Sequence, residues 1–97
     1  MRVAFTPEAR NEVLAARDWY EIQVPGLGRD FAEAVDAAIE SICGNPQAYR
    51  RIDGDCRRIL LRRFPYSVMF RAGRDEVLVV AVFHHSRRPR VWQRRLR

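Results

Sequence analysis

The side chains best suited to chemistry in this 97-residue chain are its arginines and two adjacent histidines, His84 and His85. All 18 basic residues are arginines. A guanidinium group can bind a phosphate or a carboxylate through two parallel hydrogen bonds, and an imidazole can donate or accept a proton near neutral pH. These residue types indicate a surface that binds anions and that has groups suited to acid or base chemistry.

The arginines are concentrated in the second half of the chain. Residues 1–49 hold four arginines and eight acidic residues, a net charge of −4, whereas residues 50–97 hold fourteen arginines and four acidic residues, a net charge of +10. Like charges at this density repel one another and favour a partner of opposite charge. The distribution predicts a nucleic acid or an acidic protein segment as that partner, with a solvated basic surface as the alternative.

Two helices are predicted in the first half of the chain. Thr6 is a preferred N-cap residue and proline is favoured at the first helical position, so the first helix is predicted to begin at Pro7. Its apolar stripe is Ala9, Val13, Ala16 and Tyr20. Residues 25–28 break the chain, and a second helix is predicted over residues 29–43. Its apolar stripe consists of Phe31, Ala34, Val35, Ala38, Ile39 and Ile42.

After Pro46 the apolar pattern changes to a period of two, which predicts strands at 57–63, 66–71 and 77–83. These strands are expected to form a meander with the helices on one face, joined by a short strand at 3–5. The predicted fold is therefore α+β, with an N-terminal strand and an antiparallel helical hairpin packed on a small twisted antiparallel sheet (β-α-α-β-β-β). A short basic C-terminal tail follows, and residues 1–97 are predicted to form a single domain.

Neither a metal site nor a membrane segment is expected. Cys43 and Cys56 do not have the spacing of metal ligands, and we expect no metal and no cofactor. The N-terminus lacks the apolar run of a signal peptide, and no segment reaches the roughly 18 apolar residues that a membrane span needs. We therefore expect a cytoplasmic protein with reduced thiols and no membrane partner.

Six segments in a fixed order cover most of the chain, at residues 5–9, 19–21, 31–42, 45–46, 61–70 and 79–89. Together with the order of elements, they resemble the RelE/ParE family of toxins from type II toxin–antitoxin systems. The resemblance implies a toxin that inhibits bacterial growth when free of its antitoxin. It also implies a cognate acidic antitoxin as partner, and contact with operator DNA only through that antitoxin.

The resemblance implies two alternative activities, so whether the protein is an enzyme stays open. Some members cleave mRNA at the ribosome, and others poison DNA gyrase without cleaving nucleic acid. For an mRNA endonuclease, Arg62 matches a phosphate-binding arginine, and Arg87 or Arg88 matches a second one beyond the last strand. Either His84 or His85 could supply acid or base chemistry. The candidate catalytic set is Arg62, His85, Arg87 and Arg88.

Departures from the nuclease pattern favour the gyrase hypothesis. Asp53 and Asp55 stand where some nucleases have lysines, although other nucleases use a carboxylate as base and either residue could fill that role. Trp92 replaces a tyrosine expected in the tail. An indole cannot act as an acid or base. His85 and Arg87 instead match a His-x-Arg sequence of ParE-type toxins. We therefore favour gyrase poisoning, with ribosome-dependent mRNA cleavage as the alternative. Candidate residues for binding the target or the partner are Arg57, Arg58, Arg63, Arg90, Trp92, Arg94 and Arg95.

Other interpretations of the same residues stay open. Arg57 and Arg58 could serve only to keep a sheet edge soluble, and His84 continues the alternation of a buried strand. A third functional hypothesis is a non-catalytic nucleic-acid-binding module in which Tyr66, Phe70 and Phe83 stack on bases. These aromatic residues are expected to point into the core, which disfavours that hypothesis.

Overall fold

The computed structural model describes residues 1–86. Its elements are β1 (Arg2–Phe5), α1 (Pro7–Gln23), α2 (Leu27–Gly44), a 3-10 turn (Pro46–Ala48), β2 (Arg51–Asp53), β3 (Cys56–Leu60), β4 (Tyr66–Ala72) and β5 (Glu76–His84). The predicted α+β class is confirmed, and so are the helical hairpin and the three long strands. Strand β2 was not predicted, because its three residues are too few to show an alternating pattern.

The sheet is mixed rather than purely antiparallel, which corrects one part of the prediction. The strand order is β1-β5-β4-β3-β2, and β2 to β5 form antiparallel pairs. Strand β1 pairs with β5 in the parallel orientation. The whole helical hairpin separates β1 from the other strands, and such a long connection permits parallel pairing. Apolar alternation does not report strand direction, so the sequence pattern could not show this.

Local hydrogen bonds fix the start of α1 and the turn between the two helices. As predicted, the Thr6 hydroxyl caps α1 by accepting a hydrogen bond from the Ala9 N–H at 3.1 Å. In the turn between the helices, the Glu21 carboxylate accepts hydrogen bonds from the backbone N–H groups of Gly26 and Gly28, at 2.9 and 3.0 Å. A Cβ atom at Gly28 would lie 2.6 Å from the Arg17 carbonyl oxygen. Glycine is therefore required where the two helices approach each other.

Both helices bury their predicted apolar stripes against one face of the sheet. The centre of this core is an aromatic cluster of Tyr20, Phe31, Phe64 and Tyr66. Phe31 is fully buried, and its ring centroid lies 5.4 Å from that of Tyr20, 5.2 Å from that of Phe64 and 5.0 Å from that of Tyr66. Edge-to-face and stacked contacts of this kind add to the free energy gained from burial alone.

A β-bulge in β5 changes which side chains face the helices. Met69 pairs with Ala81 and Phe70 pairs with Val79, so Val80 has no partner residue on β4. Before the bulge the odd-numbered residues of β5 belong to the helix-facing core, but after it the even-numbered Val82 does. Cys56, Met69, Val80, Ala81 and Phe83 form a separate buried cluster. One extra residue thus reverses the facing of the end of β5, where the histidines lie.

Candidate functional site

The first candidate surface is a groove between α1 and the ends of β4 and β5, here called the α1 groove. Its volume is about 700 Å³. It is lined by Asn11, Glu12, Ala15, Ala16, Trp19, Tyr20, Pro65, Tyr66, Val82 and His84. The Trp19 side chain is 57% exposed at its rim, and Ile22, one turn further along α1, is 80% exposed. This groove is therefore aromatic and open to solvent.

The bulge in β5 places His84 in the α1 groove. The His84 ring contacts Tyr66 edge to face, with ring centroids 5.3 Å apart. Its Nδ1 accepts a hydrogen bond from the Ser86 backbone N–H at 3.0 Å, and the Ser86 Oγ lies 2.8 Å away. The neutral ring consequently carries its proton on Nε2. His85 is exposed in the following turn, where its backbone N–H donates to the Pro65 carbonyl.

Glu12 supplies a hydrogen-bond acceptor at the edge of β5 that faces the α1 groove. Strand β1 ends at Phe5, opposite Val79, whereas β5 continues to His84. The Val82 N–H on that edge donates to Glu12 Oε1 at 3.0 Å. A carboxylate from a helix thus replaces the missing strand partner, which avoids the cost of an unsatisfied backbone donor.

The second candidate surface lies between α2 and the end of β3 and is called here the α2 groove. Its volume is about 560 Å³. Its lining residues are Ala34, Ala37, Ala38, Ser41, Tyr49, Ile59, Leu60, Leu61, Arg62 and Arg63. Small side chains therefore form the helical wall, apolar residues form the strand wall, and two arginines stand at one end.

The four arginines around β3 have different surroundings. The Arg57 guanidinium donates to the Tyr49 carbonyl and to Gln47 Oε1, both at 2.7 Å. Arg63 lies 3.5 Å from an Asp30 carboxylate oxygen and above the Phe64 ring. Arg58 is half-buried on β3. Arg62 is exposed and makes no ion pair within residues 1–86.

The structure brings some predicted site residues together and separates others. Arg62 and Arg63 line the α2 groove, whereas His84 lines the α1 groove. The carboxylates Asp53 and Asp55 lie at the opposite end of β3 from Arg62, and Asp55 is 3.3 Å from Arg71. The other candidate residues lie outside the described residues; they are Arg87, Arg88, Arg90, Trp92, Arg94 and Arg95.

Within residues 1–86, the buried cysteine and the possible metal ligands form no further candidate site. Burial raises the pKa of the Cys56 thiol to about 11, so this thiol is protonated at neutral pH and is a poor nucleophile. Within residues 1–86, no group of three or more His, Cys, Asp or Glu side chains could hold a metal ion. No helix in that part of the chain is long and apolar enough to span a membrane.

Two parts of these grooves were not identified from the sequence. Glu12 was missed because nothing in the sequence reports that β1 ends before β5. The helical wall of the α2 groove was missed because Ala34 and Ala38 were assigned only to the core. Ala37 and Ser41, spaced four apart and next to that stripe, are the signal that could have revealed it.

Comparison with known proteins agrees with this fold. A chromosomal ParDE toxin–antitoxin system from P. aeruginosa matches with a TM-score of 0.65 and 22% identity, covering 87% of this chain and 95% of that chain. The intact RelBE toxin–antitoxin complex of E. coli matches with a TM-score of 0.67 and 20% identity, covering 89% and 98%. At these identities the likeness supports the fold alone.

A search of curated proteins found no match. A family model, described as the ParE toxin of the type II toxin–antitoxin system parDE, matches residues 3–89. This match covers most of the chain, from the second residue of β1 to beyond the end of β5. The chain therefore belongs to the ParE toxin family of type II toxin–antitoxin systems.

Proposed function

We propose that this toxin inhibits bacterial growth by poisoning DNA gyrase and that a cognate acidic antitoxin neutralises it. The observation that supports gyrase most directly is the match of residues 3–89 to the ParE family model. The RelE/ParE family, which the sequence resembles, contains gyrase poisons and mRNA endonucleases. ParE-type members belong to the first group. The proposal includes a cytoplasmic location, because gyrase acts on the chromosome.

Gyrase poisoning requires no catalytic arrangement of the candidate residues. Cleavage of RNA by its own 2′-hydroxyl requires a base, an acid and cations arranged around one phosphate. In the candidate catalytic set, Arg62 is exposed after β3 and His85 is exposed in the turn after β5, while Arg87 and Arg88 lie outside the described residues. A poison that acts through surface contacts needs no such arrangement.

An acidic antitoxin is supported by charge and by the structural neighbours. Residues 50–97 carry a net charge of +10, which attracts an acidic segment and accelerates its association. Both solved neighbours are described as toxin–antitoxin systems. By analogy, we propose that this toxin reaches operator DNA only through its antitoxin.

The experiment that tests the target is controlled expression of the toxin alone, followed by separate labelling of new DNA and new protein. We expect DNA synthesis to fall first, with filamentous cells and a DNA-damage response. We expect the antitoxin to be a small acidic protein encoded beside the toxin, and its co-expression should restore growth. An early fall in protein synthesis with new mRNA 5′ ends would instead establish the mRNA endonuclease and overturn the gyrase proposal.

Two variants extend this experiment. Arg62→Ala should largely preserve growth arrest by a gyrase poison, whereas it should abolish arrest by a nuclease that needs this cation at the phosphate. A chain that ends after Pro89 should lose most of its toxicity, because the basic tail is the candidate target surface. Retained toxicity in the shortened chain would contradict a role for the tail.

A further inference from the structure

Four arginines lie together at the edge of the sheet where the short strand β2 pairs with β3. Arg51 is the register partner of Arg57, and the Arg58 N–H donates to the Arg50 carbonyl oxygen at 3.1 Å. Strand β2 is the last strand on this side of the sheet. These four arginines are called here the β2–β3 edge. Like charges opposed across a pair of strands are destabilising, so their clustering favours a bound anion.

No carboxylate neutralises the β2–β3 edge within residues 1–86. The Arg57 guanidinium donates to two backbone carbonyls and one amide oxygen, all of which are neutral. The other three members form no ion pair in that part of the chain. Residues 87–97 contain six arginines and no acidic residue, so they provide no side-chain carboxylate either.

Arginines in other parts of the described chain have carboxylate partners. Four of them lie within 4.0 Å of a carboxylate oxygen, namely Arg17, Arg29, Arg63 and Arg71. The carboxylates closest in sequence to the β2–β3 edge are Asp53 and Asp55 at the β2–β3 turn, and Asp55 is paired with Arg71 at 3.3 Å. These two carboxylates would repel an anion at the turn. An anion is therefore expected at the opposite end of β2, where Arg50 lies.

The chemistry of the β2–β3 edge suits phosphate groups better than a protein surface. A guanidinium group binds a phosphate through two parallel hydrogen bonds and remains charged at any physiological pH. A protein interface also needs an apolar centre. The apolar side chain within β2, Ile52, is half-buried and packs against the second buried cluster. The edge thus offers charge and N–H donors, which are sufficient for binding a phosphate backbone.

The placement of the four arginines favours a double-stranded nucleic acid. Arg57 and Arg58 are consecutive in β3, so their side chains leave opposite faces of the sheet. A single strand presents one line of phosphates, whereas the major groove of duplex DNA has a backbone on each side. That groove is about 12 Å wide and admits two paired β-strands. Arginines on both faces of the edge can therefore contact both backbones.

We infer that the β2–β3 edge binds the phosphate backbones of duplex DNA, independently of base sequence. Phosphate contacts position a protein but carry no sequence information, so recognition of an operator still requires the antitoxin. This activity goes beyond the proposed function, because it requires neither gyrase nor antitoxin. It concentrates the toxin on the molecule on which gyrase acts.

The test measures binding of the 97-residue chain to a fluorescently labelled DNA duplex of arbitrary sequence by anisotropy. The edge variant replaces three of the four arginines, as Arg50→Gln, Arg51→Gln and Arg58→Gln. Arg57 is left unchanged because its hydrogen bonds hold the segment after α2. Urea unfolding of each variant shows that it is folded.

The control variant removes the same charge from the helical hairpin. It replaces three exposed arginines, as Arg10→Gln, Arg17→Gln and Arg29→Gln. Edge and control variants then have equal net charge, so any difference between them reports the position of the arginines and not the charge of the whole chain.

We expect the wild-type chain to bind the duplex with a Kd between about 1 and 100 μM at physiological salt, the usual range for binding without sequence preference. The edge variant should bind about tenfold more weakly or worse. Its plot of log K against log salt concentration should be shallower by about 2 to 3, because each lost phosphate contact removes about 0.9. The control should change the Kd by less than about threefold.

Equal losses in the edge and control variants would show that net charge alone attracts the DNA and would overturn the inference. Absence of measurable binding by the wild-type chain would overturn it as well. If the edge variant does not fold, Arg51→Gln alone provides the test at an exposed position. It should reduce the salt slope by about 0.9, and an unchanged slope would contradict the contact.

Two further probes distinguish other polyanions, namely single-stranded RNA of the same length and a polyglutamate peptide. The duplex should bind at least about fivefold more tightly than either, because only the duplex has two backbones beside one groove. Tighter binding of the RNA would overturn the assignment to duplex DNA. Equal or tighter binding of the peptide would assign the edge to an acidic protein instead.

The outcome is independent of the proposed function. A toxin that binds the duplex through the edge but leaves gyrase active would contradict only the proposed function. A toxin that poisons gyrase but binds DNA equally well in the wild type and the edge variant would contradict only this inference.

Discussion

The α1 and α2 grooves both lie between a helix and the sheet but differ in chemistry. The α1 groove presents Trp19, Tyr66 and His84, and a helix carboxylate satisfies its strand edge. The α2 groove presents small residues, an open strand edge and Arg62. The same helix-on-sheet packing thus leaves two clefts with different ligand preferences. The difference shows that the fold creates the clefts, whereas residues at their rims determine what they can bind.

The β-bulge at Val80 is one cause of this difference. Without the extra residue, the alternation of β5 would direct His84 away from the helices. With it, His84 enters the α1 groove beside Tyr66. The bulge thus determines that His84, rather than its neighbour His85, lines the α1 groove.

The largest expected effect comes from removing the central side chain of the aromatic cluster. Phe31→Ala should lower the free energy of unfolding by about 3–5 kcal/mol, because a fully buried aromatic side chain is replaced by a cavity. Urea unfolding measures the change. Trp19→Ala is the control and should cost far less, since Trp19 is 57% exposed. Similar costs for the two variants would contradict the position of the cluster.

Much of the fold could be predicted because its signals are local. The Thr6 cap, the two apolar stripes and the three long strands all follow from residue types and spacing. The parallel pairing of β1 and the short β2 strand could not be predicted, since neither leaves a periodic pattern. The bulge at Val80 could not be predicted either. Residues 77–83 are apolar on both faces, so a shift in alternation leaves no mark on the sequence pattern.

A smaller effect is expected at the edge of the α1 groove. Glu12→Ala should lower the free energy of unfolding by about 1–3 kcal/mol, because the Val82 N–H then loses its acceptor in a partly buried position. Glu12→Gln keeps a side-chain oxygen and should cost less than half as much. Hydrogen exchange at the Val82 amide should be faster in the alanine variant than in the glutamine variant. Equal exchange rates of the Val82 amide in the two variants would show that this hydrogen bond contributes little to the stability of the strand edge.

The smallest effect is expected at the ion pair next to the α2 groove. Asp30→Asn should cost between 0 and about 1 kcal/mol, because the Asp30–Arg63 pair is largely exposed to solvent. A double-mutant cycle with Arg63→Gln isolates the interaction between the two side chains. A coupling free energy above about 2 kcal/mol would exceed the range for exposed pairs and indicate a structural role for Arg63.

The candidate site was predictable in composition but not in arrangement. From the sequence we predicted one group of basic candidate residues around a single strand, namely Arg57, Arg58, Arg62 and Arg63. Their surroundings depend on residues far along the chain, since Arg57 binds the segment after α2 and Arg63 pairs with α2 itself. Only tertiary structure shows that Arg62 is left without a counter-ion among residues 1–86.

The most direct test of the gyrase proposal uses purified toxin, gyrase and plasmid DNA. The toxin should inhibit supercoiling and, after detergent and protease treatment, leave cleaved plasmid that reports trapped gyrase. Addition of the antitoxin beforehand should prevent both effects. A parallel reaction with ribosomes and mRNA should show no cleavage. Unaffected gyrase together with mRNA cleavage in the presence of ribosomes would contradict the proposal.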